Sequence, residues 1–401
     1  MKKKILFISL QESMVVRKHI IHPIRMLADS GKLTGILLII CTFLSLFLSN
    51  SDFGASYIKI WHTEIGFPFL SKSIVHWIND GFMVVFFLMV GLEIKREVTE
   101  GELATVKQAI LPVMAALGGI ILPALIFILF NVKNPENLKG WAIPTATDIA
   151  FSLGILSLLG TRVPFSLKIF LTALAIIDDL GAILIIAVFY SEGLNLIMLF
   201  LAALVFIFLL LLNKFKIMNL VLYILPGMLL WYFVLKSGIH PTIAGVLLAF
   251  TIPLDILEHL EHRLNKPVNY LILPLFALAN TAMTFSFGQA GGLAAPLSLG
   301  IFFGLFIGKP AGITAAAYLA VRFKAASLPS GIRWNQIIGL GCIAGIGFTM
   351  SIFIASLSYS SELPLTLAKI AILVSSLFSA IAGLFILHLT LEKDDKTENP
   401  E

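Results

Sequence analysis

Two adjacent carboxylates interrupt one of the most apolar parts of the chain. Asp178 and Asp179 lie in the stretch AIIDDLGA (175–182). An ionised Asp at the centre of a membrane helix costs about 2.5–3.5 kcal/mol, so a purely structural role would be expensive. Neighbouring positions project about 100° apart on a helix, and the two carboxylates can therefore do different work. We expect the pair to bind protons or a small cation; the alternative is a helix cap or an interface.

Thr147 and Asp148 form a second polar pair, three residues after Pro144. Proline removes an amide donor and disfavours helix at the residue before it. Carbonyls freed there, with a hydroxyl and a carboxylate, are the oxygen ligands that hard cations such as Na⁺ or Li⁺ prefer. Asp148 can also be the N-cap of the helix that follows, which is compatible with a role in the site.

Lys309 is a basic residue inside an apolar segment. It lies beside Gly304, Gly308 and Gly312, a small-residue face that lets another helix approach closely. A lysine there needs a buried partner unless its amine reaches an interface. The distance from the basic loop at Arg322 favours the buried partner.

Four ionisable residues near predicted span ends are weaker candidates: Asp80, Glu93, His240 and Glu261. Polar residues are common at span ends, so a structural reading of Asp80 and His240 is as good as a functional one. Glu93 belongs to a charged cluster at a helix end. Glu261 lies in a charged segment (255–266) with helical spacing, which predicts a solvated or interfacial turn.

The segments that must position these groups are apolar and long. Of the 401 residues, 58% are hydrophobic and 13% are charged, against roughly 45–50% and 25% in soluble domains. Apolar blocks such as 34–48 and 196–212 approach the ~20 residues needed to cross a bilayer, and about twelve such spans can be counted. The prediction is an all-α polytopic membrane protein in contact with the lipid bilayer.

The basic residues predict the orientation of these spans. On an alternating twelve-span arrangement, 21 of the 28 Lys and Arg residues fall on one side and six on the other. The positive-inside rule then places both termini in the cytoplasm, and the net charge needs no nucleic-acid partner. The domain prediction is a basic cytoplasmic arm (1–33), one transmembrane domain (34–390) and a charged cytoplasmic tail (391–401). Cys41 and Cys342 form no metal or disulfide framework.

Two of the spans contain helix breakers. Span 4 has Pro144, and four glycines weaken span 11 between Gly339 and Gly347. Broken backbone inside a membrane is tolerated where it is buried or lines a cavity, and paired broken helices in two repeats indicate a transporter's binding site. Spans 3–5 and 10–12 would be those repeats. In the first outer loop (51–73), the alternation of 57–62 and the nearby Gly66 and Pro68 favour a β-hairpin.

The motifs that contain these residues resemble the NhaA family of bacterial Na⁺/H⁺ antiporters. The likeness extends from about span 1 to span 12 and rests on seven segments: WINDGFMVVFFLMVGLEIKRE (77–97), GWAIPTATDIAF (140–151), LKIFLTALAIIDDLGAI (167–183), LKSGIHPTIAG (235–245), ILPLFALAN (272–280), GLFIGKPAGI (304–313) and GIGFTMSIFIASL (345–357). The resemblance implies about twelve transmembrane helices with two inverted three-helix repeats, in which spans 4 and 11 are broken and cross.

The resemblance also implies roles for individual residues. Asp179 would be the principal cation and proton carrier, and Asp178 would be able to pair with Lys309. Thr147 and Asp148 would lie at the crossing, where Asp148 and Lys309 balance half-helix dipoles.

A second set of implied roles concerns regulation and assembly. Glu93, His240 and Glu261 match positions linked to pH response on the cytoplasmic side, with Asp80 a further candidate. The loop before Glu261 is shortened compared with the family. A homodimer through the first outer loop is a further implication.

The expected activity is therefore Na⁺ (or Li⁺)/H⁺ exchange at the bacterial inner membrane. Sodium would leave in exchange for protons, electrogenically and under pH control, with the cation held transiently at Asp178 and Asp179. The expected protein is not an enzyme and needs no cofactor. The rivals are a cation-coupled symporter, which needs a solute pocket; an intramembrane aspartyl protease, whose GxGD motif is absent; and a passive channel, which buried carboxylates would obstruct.

Overall fold

The computed structural model describes residues 32–67, 70–191, 193–284, 292–329 and 331–391. The basic arm predicted for 1–33 and the tail predicted for 391–401 lie almost wholly outside these ranges, and both stay predictions. Inside them the chain is a succession of helices with one small hairpin.

The helices and strands follow one another as α1 Lys32–Ser49, α2 Gly54–His62, β1 Glu64–Phe67, β2 Leu70–Ser73, α3 Ile74–Thr99, α4 Val106–Asn131, α5 Pro135–Thr145, α6 Ile149–Arg162, α7 Phe165–Phe189, α8 Leu196–Lys214, α9 Val221–Ser237, α10 Thr242–Thr251, α11 Leu254–Pro267, α12 Leu273–Asn280, α13 Pro296–Arg322, α14 Trp334–Ala344, α15 Phe348–Ser358 and α16 Glu362–Thr390. One-turn π-helical segments lie within α3 and α13 and between α11 and α12.

Six of these helices are long and apolar enough to cross a membrane, and the number rises to nine if each bent pair is one span, counting only the described residues. The bent pairs are α1–α2, α5–α6 and α14–α15. Two further apolar helices, α9 and α10, are short: at 1.5 Å per residue, the ten residues of α10 extend about 15 Å. The chain is therefore a multi-pass membrane protein, and the expected total of twelve spans stays a prediction.

Two clusters of buried side chains organise the bundle. The larger cluster surrounds the broken helices and includes residues from α3, α4, α7, α13, α14, α15 and α16. The smaller cluster joins α8, α9, α10 and α11 to one face of α3. Because α3 contributes to both clusters, it is the shared wall between them, and its charged end lies beside α11.

The close approach predicted for the small-residue face of α13 is confirmed. A Cβ on Gly312 would lie 2.1 Å from the carbonyl oxygen of Gly118, and a Cβ on Gly118 would lie 2.2 Å from that of Gly312. Gly308 likewise contacts Pro123 of α4. Only glycine fits positions where two backbones meet in this way, and the tight contact between α4 and α13 holds Lys309 at a fixed depth.

The segment predicted to be the first outer loop (51–73) contains a hairpin, but not where the alternating residues predicted it. β1 and β2 pair antiparallel, with Glu64 opposite Ser73. The segment from Tyr57 to His62 is helical and belongs to α2. Its apolar residues pack at helical spacing, with the rings of Tyr57 and Trp61 in edge contact, so the i, i+4 pairing prevails over a short run of alternation.

Candidate functional site

The site is built where two broken helices meet. α5 and α6 are bent by 46° at their break, and α14 and α15 by 47°. The chain is extended at Ala146 and at Asp148, and residues 345–347 separate α14 from α15. Pro144 and the glycines at 345 and 347 explain the two interruptions, as the sequence predicted.

Hydrogen bonds cross between the two breaks in a reciprocal pattern. The hydroxyl of Ser152 on α6 donates to the carbonyl oxygen of Ile343 on α14 (3.1 Å). The hydroxyl of Ser351 on α15 donates to the carbonyl oxygen of Ile143 on α5 (2.7 Å). Each broken helix thus satisfies a free carbonyl of the other, which is what allows irregular backbone to stay buried in a membrane.

One carboxylate caps the second half of both broken helices. Oδ1 of Asp148 accepts a hydrogen bond from the backbone N–H of Phe151 (2.9 Å) at the start of α6. Its Oδ2 accepts from the backbone N–H of Thr349 (3.0 Å) at the start of α15, and also from the Thr349 hydroxyl. A negative charge at two helix N-termini is favourable to both dipoles. The N-cap alternative for Asp148 is thus correct, and Thr349 is a site residue that sequence reasoning missed.

Asp178 lies in a buried ion pair near the middle of α7. Its Oδ2 is 2.7 Å from the Nζ of Lys309, and neither side chain is exposed. The Lys309 ammonium also donates to the carbonyl oxygen of Thr145, which Pro144 and the break leave free. The hydroxyl of Thr147 lies 2.7 Å from Oδ2 of Asp178 and 2.8 Å from the carbonyl oxygen of Ala344, and its single proton can serve either.

Asp179 is buried without compensation. It is 1% exposed, and neither of its carboxylate oxygens has a hydrogen-bond partner among the residues the structure describes. The charges that act on it include the carboxylates of Asp178, Asp148 and Glu93 and the ammonium of Lys309. A buried carboxylate that lacks donors is energetically unfavourable when ionised and unoccupied. A proton or a cation removes that penalty, and Asp179 is therefore suited to bind either one.

A cavity of about 300 Å³ adjoins this centre. Its wall includes Glu93 of α3, Ile149 and Ala150 at the start of α6, and the amides of Asn265 and Asn269. Because Ile149 directly follows Asp148, the cavity reaches the broken helix from the side of the bundle where α3 ends. Polar lining on one side and a carboxylate within it make the cavity suitable for water and a small cation.

Glu261 links the end of α3 to the amphipathic α11. Its Oε1 lies 2.6 Å from the guanidinium of Arg96, which also pairs with Glu97 (3.2 Å). Burial raises the pKa of Glu261 above its ordinary value, and the Arg96 guanidinium offsets part of this rise. The acidic and basic residues predicted to lie on a solvated or interfacial helix therefore include one partly buried pair.

Asp80 and His240 lie together, but not with Glu93 and Glu261. The Oδ1 of Asp80 is 3.5 Å from Nε2 of His240, and its Oδ2 is 2.5 Å from Nζ of Lys72 on β2. Asp80 precedes Glu93 by thirteen residues on α3, which is about 20 Å at 1.5 Å per residue. The expectation that His240 shares the cytoplasmic side with Glu93 and Glu261 is wrong, because its partners hold it at the hairpin end of α3.

The polar side-chain atoms at the crossing are oxygens, apart from the amine of Lys309. Among the described ranges, no group of three or more His, Cys, Asp or Glu side chains is arranged to hold a metal ion. The oxygens near the crossing are instead the carboxylates of Asp148, Asp178 and Asp179, the hydroxyls of Thr147 and Thr349, and backbone carbonyls at the breaks. Oxygens of this kind are the ligands that hard cations prefer. The structure joins Asp178, Thr147 and Lys309 by direct contacts. Asp148, next to Thr147 in the chain, bonds instead to the starts of α6 and α15, and Asp179 follows Asp178 on α7.

Comparison with known proteins agrees with this geometry. Residues 25–387 match the model of the family described as Na⁺/H⁺ antiporter 1. The chain is 52% identical to the Na⁺/H⁺ antiporter NhaA 2 of Flavobacterium johnsoniae, over 88% of this chain and 89% of the relative. It is 47% identical to NhaA of Cytophaga hutchinsonii (93% and 97%) and 45% identical to NhaA 1 of Clostridium beijerinckii (95% and 98%). These relatives support sodium/proton antiport and a transporter rather than an enzyme. The chain, with its motifs matched almost from end to end, belongs to the Na⁺/H⁺ antiporter 1 family.

Proposed function

We propose that this protein exports Na⁺, and also Li⁺, from the bacterial cytoplasm in exchange for protons. The observation that carries the proposal is the contrast within the aspartate pair. Asp178 is neutralised by Lys309, whereas Asp179 is equally buried and has no hydrogen-bond donor within the described part of the chain. A site that must alternate between a proton and a cation needs such a carboxylate, since neither occupant has to displace a protein donor.

Exchange follows from competition for the two carboxylates. Na⁺ entering the cavity displaces the proton on Asp179, and the proton leaves through the same cavity. If Lys309 then releases Asp178, both carboxylates and Thr147 can bind the cation, and the ammonium proton is available for transfer. Two carboxylates whose protons are coupled titrate as one system. More protons than cations per cycle make the exchange electrogenic, and an inward proton gradient drives sodium out.

The broken helices provide the movement that exposes the site to each side. In transporters with paired broken helices, one repeat or bundle moves against the other around a fixed site. Here the repeats are spans 3–5 and 10–12, and the reciprocal bonds of Ser152 and Ser351 fit their inverted relation. During this movement Asp148 keeps its hydrogen bonds to α6 and α15, and Lys309 keeps its hydrogen bond to the Thr145 carbonyl oxygen. Each charged group therefore moves together with the helix ends that it stabilises.

Regulation by pH has two candidate regions in this proposal. Glu93 lies in the wall of the cavity. Glu261 links α11 to the end of α3 through its ion pair with Arg96. Protonation of these carboxylates would narrow or widen the opening of the cavity. Asp80 and His240 form the second region, beside the hairpin. The hairpin is also the proposed contact of a homodimer, since the outer edges of β1 and β2 are available for strand pairing.

The proposed topology has twelve spans, with both termini in the cytoplasm. Its support is the charge asymmetry of the loops, since basic residues concentrate on the side on which α3 ends. The end of α3, α11 and the cavity beside Glu93 then face the cytoplasm. The hairpin and the Asp80–His240 pair face the opposite side. Transport requires no cofactor in this scheme.

The test is cation-driven proton movement in proteoliposomes that contain the intact protein or its Asp179→Asn variant. Addition of Na⁺ or Li⁺ should dissipate an imposed pH gradient with the intact protein only. Asp255→Asn removes a carboxylate from the exposed start of α11 and is the matched control, which should exchange normally. A membrane-potential dye measures the net charge moved per cycle.

Each outcome has a distinct reading. Failure of both cations to dissipate the gradient with the intact protein contradicts the exchange itself. Normal exchange by Asp179→Asn leaves the exchange intact but contradicts the assignment of the site. Exchange without any change of membrane potential contradicts an electrogenic stoichiometry alone.

A further inference from the structure

An apolar groove of about 680 Å³ lies on the outer surface of the bundle, away from the transport site. α13 contributes Ile307, Ala311 and Tyr318 to its walls; α14 contributes Trp334 and Ile338, and α16 contributes Ile386. Ile307, Tyr318 and Ile338 are about 40–50% exposed. An open apolar groove in a surface that faces lipid is a place for a lipid tail, because hydrocarbon is the surrounding solvent.

The groove has the length of one leaflet. Ile307 and Tyr318 are eleven residues apart on α13, which is about 16 Å at 1.5 Å per residue. The hydrocarbon core of a bilayer is about 30 Å thick, so this distance is about half of it. Ile307 is two residues from Lys309, near the depth of the transport site, and Tyr318 is close to the end of α13. The groove therefore extends from the middle of the membrane to one surface.

Aromatic and basic side chains surround the surface end of the groove. The rings of Tyr318 and Trp334 meet at 5.4 Å between centroids, in the amphipathic pairing common at membrane interfaces. Arg322 lies one turn beyond Tyr318 on the same helix face, and Arg333 directly precedes Trp334. Arg322 and Arg333 are exposed, as is Lys324 between them. Between residues 296 and 361 the sequence has no Asp or Glu, so this segment carries a net positive charge.

We propose that this groove binds a phospholipid with an anionic headgroup from the leaflet on the Arg322 side. One acyl chain lies between α13, α14 and α16, the glycerol region lies at Tyr318 and Trp334, and the phosphate lies at Arg322 and Lys324. Arginine binds phosphate oxygens in a bidentate manner. The apolar walls select a lipid over free phosphate, and the positive end selects an anionic over a zwitterionic headgroup.

The bound lipid would contact the two elements that hold the transport centre. Pro310 of the groove wall follows Lys309 directly, and Cys342 of the wall lies three residues before Gly345 at the break of α14. α13 and α14 are in close contact here, since a Cβ on Gly341 would lie 2.9 Å from the Cα of Pro310. The lipid therefore stabilises this helix pair from outside. The proposal concerns binding and does not depend on the transported ion.

The test uses Trp334 as a reporter within the groove. The full chain is reconstituted with phospholipids brominated on one acyl chain, either phosphatidylglycerol or phosphatidylcholine at equal mole fraction. The contribution of Trp334 is the difference between the intact protein and Trp334→Phe, since the chain has five tryptophans. Brominated phosphatidylglycerol should quench Trp334 at a lower mole fraction than brominated phosphatidylcholine.

Three variants separate headgroup from acyl recognition. Arg322→Gln with Lys324→Gln should lower the preference for phosphatidylglycerol about fivefold per removed charge. Each basic residue near an anionic membrane surface contributes about 1 kcal/mol of attraction, which corresponds to that factor. Ala311→Phe fills the groove at an exposed position and should weaken quenching by both lipids. Lys214→Gln with Lys216→Gln removes two exposed charges at the end of α8 and should leave Trp334 quenching unchanged.

Three results would overturn the proposal. Equal quenching of Trp334 by both lipids in the intact protein would indicate bulk contact with the bilayer only. An unchanged preference in the Arg322→Gln, Lys324→Gln variant would remove the proposed headgroup site. A loss of preference in the Lys214→Gln, Lys216→Gln control would indicate a general charge effect, which also contradicts a defined site.

Discussion

The Nζ of Lys309 lies 2.7 Å from Oδ2 of Asp178, and both side chains are fully buried. The adjacent Asp179 is just as buried, but its two oxygens have no hydrogen-bond partner in the described residues. One aspartate is thus held in an ion pair, and the other has no such ion pair among the described residues. We therefore expect substitutions of Asp178 and Asp179 to have different effects on thermal stability.

Asp179→Asn should leave the apparent Tm in detergent equal to or above that of the intact protein, because it removes a buried charge that has no donor. Asp178→Asn should lower the Tm clearly, because it leaves the Lys309 ammonium buried and unpaired, which costs about 3–5 kcal/mol. Thermal unfolding of both variants under one set of conditions measures this. Equal losses in the two variants would contradict the assignment of the ion pair to Asp178 alone.

The buried pair should also show strong coupling. Lys309→Met leaves Asp178 without its cation and should lower the Tm about as much as Asp178→Asn does. The double variant Lys309→Met, Asp178→Asn should recover most of the loss, since neither charge remains. The measurement is a double-mutant cycle of thermal stability. Losses that simply add in the double variant would contradict a direct interaction.

Asp148 should contribute more to stability than a single cap does. Asp148→Ala removes the acceptors for Phe151 on α6 and for Thr349 on α15. Each cap contributes about 0.5–2 kcal/mol, and the variant should lose roughly twice that of an ordinary N-cap. Thr349→Val removes only the hydroxyl donor and should cost less, with Asp148→Asn between the two. A Tm for Asp148→Ala equal to that of Thr349→Val would show that one carboxylate does not serve both helices.

Glu261 should give a pH-dependent difference in stability. Burial raises its folded-state pKa above the ordinary value of 4.5. The folded protein then binds more protons than the unfolded chain between these two values, so the contribution of Glu261 to stability falls as the pH rises through that window. Glu261→Gln removes the titration. The Tm of the variant minus that of the intact protein should therefore become more positive as the pH rises from about 4.5 towards the raised value.

The control for this prediction lies on the same helix. Leu254 is exposed on α11, and Leu254→Gln leaves every titratable group in place, so its Tm difference should stay flat over the same pH range. A flat difference for Glu261→Gln as well would contradict the inferred burial of Glu261 against Arg96.

Several parts of the fold and site followed from local residue chemistry. The breaks in spans 4 and 11 were predictable because Pro144 and the glycines act on their own backbone. A close helix contact on α13 was predictable because Gly304, Gly308 and Gly312 leave one helix face without side chains, but the identity of α4 as the partner was not. The hairpin was located incorrectly, since a six-residue alternation cannot be distinguished from helical pairing before its packing is known.

The sequence by itself determined that the chain is a multi-pass membrane protein with two broken helices and a buried aspartate pair. Composition, breakers and charges are local properties, and a membrane limits the structures that they can form. Only the tertiary structure decided the partners: Lys309 with Asp178, Asp148 with two half-helices, Thr349 at the crossing, and His240 with Asp80 rather than Glu261. Those contacts join residues up to 201 positions apart, and the packing of whole helices, not the spacing along the chain, brings them together.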